Sequence, residues 1–180
     1  MNQSFAVWTV ILLSLLTANL PFVVQRPFLF LPWAQAGESR RPLWQQALGS
    51  LVFFGLLVLL AYAGLVVIGQ AYFMASDLAS VALFIGKLAL LVAVAIVLLA
   101  CPGWLNRGQT VHKSFLVRLI ELLVFYALVG VLGFAFEINI GNAFSQDWSF
   151  YAITLSLFLV LGYPGFVFRY LLRRPKRKSA

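Results

Sequence analysis

Five long apolar runs divide this chain, and each is long enough to cross a lipid bilayer. A hydrocarbon core of about 30 Å needs roughly 17 to 25 apolar residues in helical form. Runs of that kind occur at Phe5 to Val24, Leu43 to Gly69, Leu78 to Ala100, Phe115 to Phe136 and Phe150 to Tyr170. In lipid the backbone must satisfy its own hydrogen bonds, and the period-two alternation of a membrane barrel is absent here, so the runs are predicted helices. The expected fold class is all-α: a single transmembrane domain over residues 1–180, an integral bundle of five helices with a basic tail at 171–180. Only 10% of the residues are charged and 63% are apolar, against about 25% charged in soluble proteins, which excludes a water-soluble globule.

The connecting segments carry the orientation. Arg26, Arg40 and Arg41 lie between spans one and two, Arg107 and Lys113 between three and four, and Arg173, Arg174, Lys176, Arg177 and Lys178 follow span five. The remaining two connections hold no Lys or Arg: between spans two and three there is only Asp77, and between four and five only Glu137 and Asp147. This alternation predicts a periplasmic N-terminus and a cytoplasmic C-terminus. Trp8 and Trp148 then fall at the outer interface, and Trp33, Trp44 and Trp104 at the inner one, as an aromatic belt requires. A rival reading takes Ala34-Gln35-Ala36 as a signal-peptidase site, but no basic residue precedes the first run and cleavage would place Arg40 and Arg41 outside. Span one is expected to be retained.

The formal charge of +8 comes from 13 Lys plus Arg against 5 Asp plus Glu. Much of it sits in the tail after span five, so Arg173, Arg174, Lys176, Arg177 and Lys178 point to anionic lipid rather than nucleic acid. The Pro27 to Pro32 stretch, with Phe28, Phe30 and Trp33, reads as a short amphiphilic segment in the inner headgroup region. Cys101-Pro102-Gly103 is predicted to end span three.

Reactive constellations are sparse. His112 is the single histidine and Cys101 the single cysteine, so an intrachain disulfide is excluded and neither a haem nor a metal site is expected. No catalytic residue and no cofactor is assigned. What remains is a set of ionisable groups within the spans, each costing about 2.5 to 3.5 kcal/mol at mid-bilayer on insertion scales. Lys87 lies near the middle of span three beside the small residues Ala82, Gly86, Ala89 and Ala93, whose spacing permits close helix approach. It either snorkels outward or meets a partner. Arg118 and Glu121, one turn apart on span four, are predicted to neutralise each other. Gly130 and Gly133 offer a second small-residue face.

Several motifs carry a resemblance. Ala18-Asn19-Leu20-Pro21-Phe22, Arg118-Leu119-Ile120-Glu121-Leu122-Leu123, Val129-Gly130, Gly133-Phe134 through Glu137, Phe150-Tyr151-Ala152-Ile153-Thr154, Pro164-Gly165-Phe166-Val167 and Arg169-Tyr170 resemble an uncharacterised family of small proteobacterial inner-membrane proteins. That family is encoded beside the gene cluster of the proton-pumping NADH:quinone oxidoreductase, respiratory complex I. Its members have three spans, so the resemblance implies an extra pair inserted between Arg41 and Lys113. It also implies an accessory or assembly role on the membrane arm of complex I. The alternative from another class is a small transporter or ion-conducting protein using Lys87 and Glu121. Against it, no span is expected to be broken at mid-membrane.

The threading is directly testable. Reporter fusions after Asp77 and Asp147 should read out as periplasmic and fusions after Arg41, Arg107 and Lys178 as cytoplasmic; a periplasmic tail would overturn the assignment.

Overall fold

The computed structural model describes residues 3–38, 42–71, 73, 77–108, 111–142 and 145–172. It is all-helical, apart from one isolated antiparallel bridge between Ala36 and His112. Helices α1 (Gln3–Val23), α2 (Leu43–Gly69), α3 (Leu78–Leu105) and α4 (Phe115–Ile140) are followed by α5 (Trp148–Leu161), the short α6 (Tyr163–Val167) and a π-helical turn, Phe168–Leu172. Five of these stretches are long and apolar enough to cross a membrane, the fifth being Trp148–Leu172 as a whole.

The helix ends follow from their caps. Asp77 accepts from the backbone N–H groups of Ala79 and Ser80 at 3.1 Å each, and so starts α3. Ser114 accepts from Val117 N–H and starts α4, and Asp147 does the same for α5 through Trp148. Each supplies an acceptor for amides that have none within their helix. Gly141, at φ +83°, takes the left-handed turn that ends α4, a conformation open to glycine without steric cost.

Two boundaries differ from expectation. Cys101-Pro102-Gly103 does not end the third span: α3 continues to Leu105 with Pro102 buried in its last turns. Asn106 N–H still donates to Pro102 O at 3.2 Å, so the turn closes around the proline. Gly103 serves packing instead, since a Cβ there would lie 3.2 Å from the Arg26 Cβ. Span four likewise runs past Phe136 to Ile140. There Asn139 donates to the carbonyls of Ile68 and Ala71 at 2.9 and 2.6 Å, satisfying acceptors at the end of α2.

α4 is central, packed between α1 and α2, while α3 leans on α2 and α5 with α6 lies against α1. The α1–α2 and α3–α4 connections and the π-helical turn share one end of the bundle, which will be called the connector end. All five tryptophans are exposed, with Trp33, Trp44 and Trp104 at the connector end and Trp8 and Trp148 toward the other. Burial is uneven. In the apolar windows, 39% of α4 is buried within the chain against 6% of α3.

Span five is interrupted, contrary to the expectation of unbroken spans. Pro164 brings no N–H, and the bond that a continuous helix would make from Gly165 N–H to Leu161 O is replaced from outside. The Asn19 side chain occupies that gap: its Nδ2 donates to Leu161 O at 2.9 Å and its Oδ1 accepts from Gly165 N–H at 2.7 Å. A side chain inserted into the helical ladder is a recognised cause of a kink. The approach needs glycine, because a Cβ on Gly165 would stand 2.8 Å from Asn19 Oδ1 and one on Gly162 3.0 Å from Ala18 O. Asn19→Leu is expected to lower the unfolding free energy in detergent by about 1 to 2 kcal/mol, the usual worth of polar contacts between membrane helices; an unchanged unfolding midpoint would mean the clasp carries no weight.

Candidate functional site

The connector end gathers the bundle's buried charge. Glu121 has no exposed surface, Arg118 is 2% exposed and Lys113 7%. The three were expected otherwise: Arg118 and Glu121 as a mutually neutralising pair, Lys113 as a cytoplasmic loop residue. The ion pair is instead between Lys113 Nζ and Glu121 Oε2, at 2.6 Å. The segment before α4 folds back so that the lysine lies over the first turns of its own helix. Glu121 Oε1 accepts from Phe28 N–H at 2.8 Å, and Lys113 Nζ also stands 4.5 Å above the centre of the Phe28 ring. Burial pushes the Lys113 amine below its ordinary pKa, and the adjoining Glu121 carboxylate opposes that shift.

Arg118 does different work. Its Nη1 donates to Phe22 O at 3.2 Å and its Nη2 to Gln25 Oε1 at 3.3 Å. Phe22 O belongs to the last turn of α1, where carbonyls lack intrahelical partners and a cation is favoured by the helix dipole. The guanidinium also lies 5.7 Å from the Tyr170 ring centre, drawing the π-helical turn onto α4. Pairing therefore follows the folded path of the connectors. Spacing along α4 does not decide it.

The segment expected to lie in the headgroup region is tucked into this end of the bundle. Leu29 is 2% exposed and Leu31 8%. Phe28 meets Phe125, and Phe30 meets Phe53, edge to face at 5.4 Å between centroids, a favourable aromatic geometry. Further out, the exposed His112 donates its backbone N–H to Ala36 O at 2.8 Å. Glu38 accepts from Gln35 N–H and from Asn106 Nδ2, at 3.1 and 3.0 Å. The two connections are thus laced together above the buried charges.

These contacts unite the stretches that carried the resemblance. Asn19 clasps Gly165, Phe22 stacks edge to face on Phe166 at 6.0 Å, and Arg118 reaches both Phe22 and Tyr170. Motifs more than a hundred residues apart in sequence form one site. Asn19 was visible as a polar interruption of an apolar run, whereas Lys113, Gln25 and Phe28 gave no signal, because nothing local fixes which backbone or carboxylate they reach.

The other expected residues lie elsewhere. Lys87 is on the exposed side of α3 and makes no hydrogen bond or ion pair among the described residues. It borders a cleft of about 190 Å³ together with Asp77, Ser80 and Phe84. Ala82, Gly86, Ala89 and Ala93 are all exposed, and a Cβ on Gly86 would meet nothing within 4 Å. Gly130 is similarly open, whereas Gly133 faces Val10 of α1 at 3.9 Å. The tail residues Arg173, Arg174, Lys176, Arg177 and Lys178 lie outside the described residues, as do Arg40 and Arg41. Among the described residues no group of three His, Cys, Asp or Glu could hold a metal ion.

A family described as "Protein of unknown function (DUF2818)" matches this chain over residues 6–107 and again over 81–173. The chain belongs to that family. The matches extend into residues 41–107, beyond the motifs that carry the resemblance, and they overlap along α3. No curated protein matches the chain, and no solved structure does.

The buried pair gives a stability prediction. Lys113→Met should cost about 3 kcal/mol, the low end for stranding one member of a buried pair because Arg118 remains near Glu121. The double variant Lys113→Met, Glu121→Gln should recover most of that, since Gln keeps an acceptor for Phe28 N–H and the stranded charge is gone. Denaturant unfolding of both variants in detergent checks the pattern; equal losses in single and double variants would contradict it.

Proposed function

We propose that this protein is a non-catalytic accessory or assembly factor of a larger membrane complex, and that the complex is the membrane arm of respiratory complex I. The observation that carries the reading is α3: 6% of its apolar window is buried within the chain, and its small-residue side is open. Membrane helices gain no hydrophobic benefit from meeting, so close packing at small residues is how such a surface holds a neighbour. What supports complex I as that neighbour is the family resemblance, through the gene neighbourhood of its members. The protein sits in the bacterial inner membrane with its connector end cytoplasmic, in keeping with Arg26, Arg107 and Lys113 at that end. The basic tail then meets anionic lipid of the cytoplasmic leaflet. The resemblance places an inserted pair of spans at α2 and α3, although the family matches themselves run through both helices.

The transporter reading has one observation in its favour, the interruption of span five at Gly162, since transporters place sites at broken helices. Its two named charges do not meet, however. Glu121 is committed to Lys113 and Phe28 at the connector end, while Lys87 lies on the exposed face of α3, toward the half of the helix that begins at Asp77.

The chain is expected to co-migrate with complex I on a native gel after mild solubilisation, and Gly86→Leu to release it while the protein still inserts. Migration alone, with complex I assembling normally in its absence, would move the transporter reading ahead.

A further inference from the structure

We propose that the exposed face of α3 around Lys87 docks a transmembrane helix of a different protein, and that this helix carries an aspartate or glutamate facing Lys87. The inference rests on the docking reading above and gives the partner its chemistry.

No carboxylate of the chain lies within ion-pair distance of Lys87. The chain has five acidic residues, and all five are described. Asp77 spends its two oxygens on Ala79 and Ser80 N–H, and Asp147 spends its own on Trp148 N–H and Ser149 Oγ. Glu38 holds Gln35 and Asn106, Glu121 holds Phe28 and Lys113, and Glu137 accepts from Gln146. None pairs with Lys87, even though Asp77 borders the same cleft. A cation within an apolar span favours an opposite charge more strongly than any exposed pair does, because lipid offers no screening water. That charge has to come from outside the chain.

A second copy does not supply it. Two parallel copies meeting on this face would set Lys87 against Lys87, and none of a copy's acidic residues lies on the exposed α3 face that carries Lys87. A lipid phosphate is reached only by snorkelling: the Lys87 backbone is about 7 Å from the midpoint of α3 along the axis, phosphates lie beyond a core boundary about 15 Å from the midplane, and the lysine stem would have to extend fully along the helix to approach one. A partner helix carrying a carboxylate fits both depth and sign. Gly86 beside Lys87, with Ala89 on the next turn, lets its backbone come close enough for a direct pair.

The test uses the full chain in its native membrane, with a diazirine amino acid in place of Leu90, which is 67% exposed and one turn from Lys87. After irradiation the adduct is sequenced by mass spectrometry. The expected adduct is one different membrane protein, linked within a helical turn of an Asp or Glu. Lys87→Glu should cut the adduct yield about tenfold, Lys87→Met should also reduce it without adding a charge, and Lys87→Arg should keep it. Replacing the partner's acid by lysine should restore the yield with Lys87→Glu. An adduct with a second copy, with lipid alone, or with a helix lacking an acid within a turn would overturn the proposal, as would a yield indifferent to Lys87→Glu and Lys87→Met in chains that remain inserted. If any of these accompanies normal co-migration with a large complex, the docking reading survives and the charge pairing falls. If the unsubstituted chain migrates alone, both fall.

Discussion

A carboxylate with no surface open to solvent or lipid is stable only if donors and cations surround it, and at Glu121 they arrive from two separate connections. Lys113 folds back from the segment before α4, and Phe28 brings its backbone N–H from the segment after α1. Fixing both partners fixes the paths of both connections, so the edge-to-face aromatics and the Ala36–His112 bridge are the further consequences of one buried charge. An ion pair removed from water contributes little net stability, but breaking it strands a charge, so it acts chiefly as a constraint on which arrangement forms.

The same accounting explains the far side of α1. Span five contains Pro164 and two glycines, and in lipid an open helical ladder has no water to repair it. The Asn19 amide stands between Leu161 O and Gly165 N–H, donating to one and accepting from the other. Arg118 completes the arrangement by bonding Phe22 O at the end of α1 and facing Tyr170 beyond the break. α1 is therefore held to α4 and to the fifth span through backbone groups that those helices cannot satisfy alone.

Much of the architecture was legible because hydropathy measures the transfer that decides it. The bounds Leu43 to Gly69 for the second span come directly from the apolar run. Where a residue's local chemistry misled, packing overrode it: Pro102 and Gly103 look like a stop, yet the turn closes and Gly103 admits Arg26. The partners of the charges were not legible. Arg118 and Glu121 are neighbours on one helix, but which cation reaches Glu121 depends on how two connections, residues 24–42 and 106–114, fold over it. The insertion of Asn19 into another helix likewise has no local signature beyond a polar residue in an apolar run.

The structure leaves α3 as the least covered helix, with Ala82, Gly86, Ala89, Ala93 and its one lysine exposed. The central claim is that another protein covers it in the cell. The most direct measurement is the collision rate of molecular oxygen with a nitroxide attached at Leu90→Cys, in a chain carrying Cys101→Ser, in native membranes and after reconstitution alone into lipid. The account predicts low oxygen access in native membranes and high access in lipid alone. Equal, high access in both would contradict it.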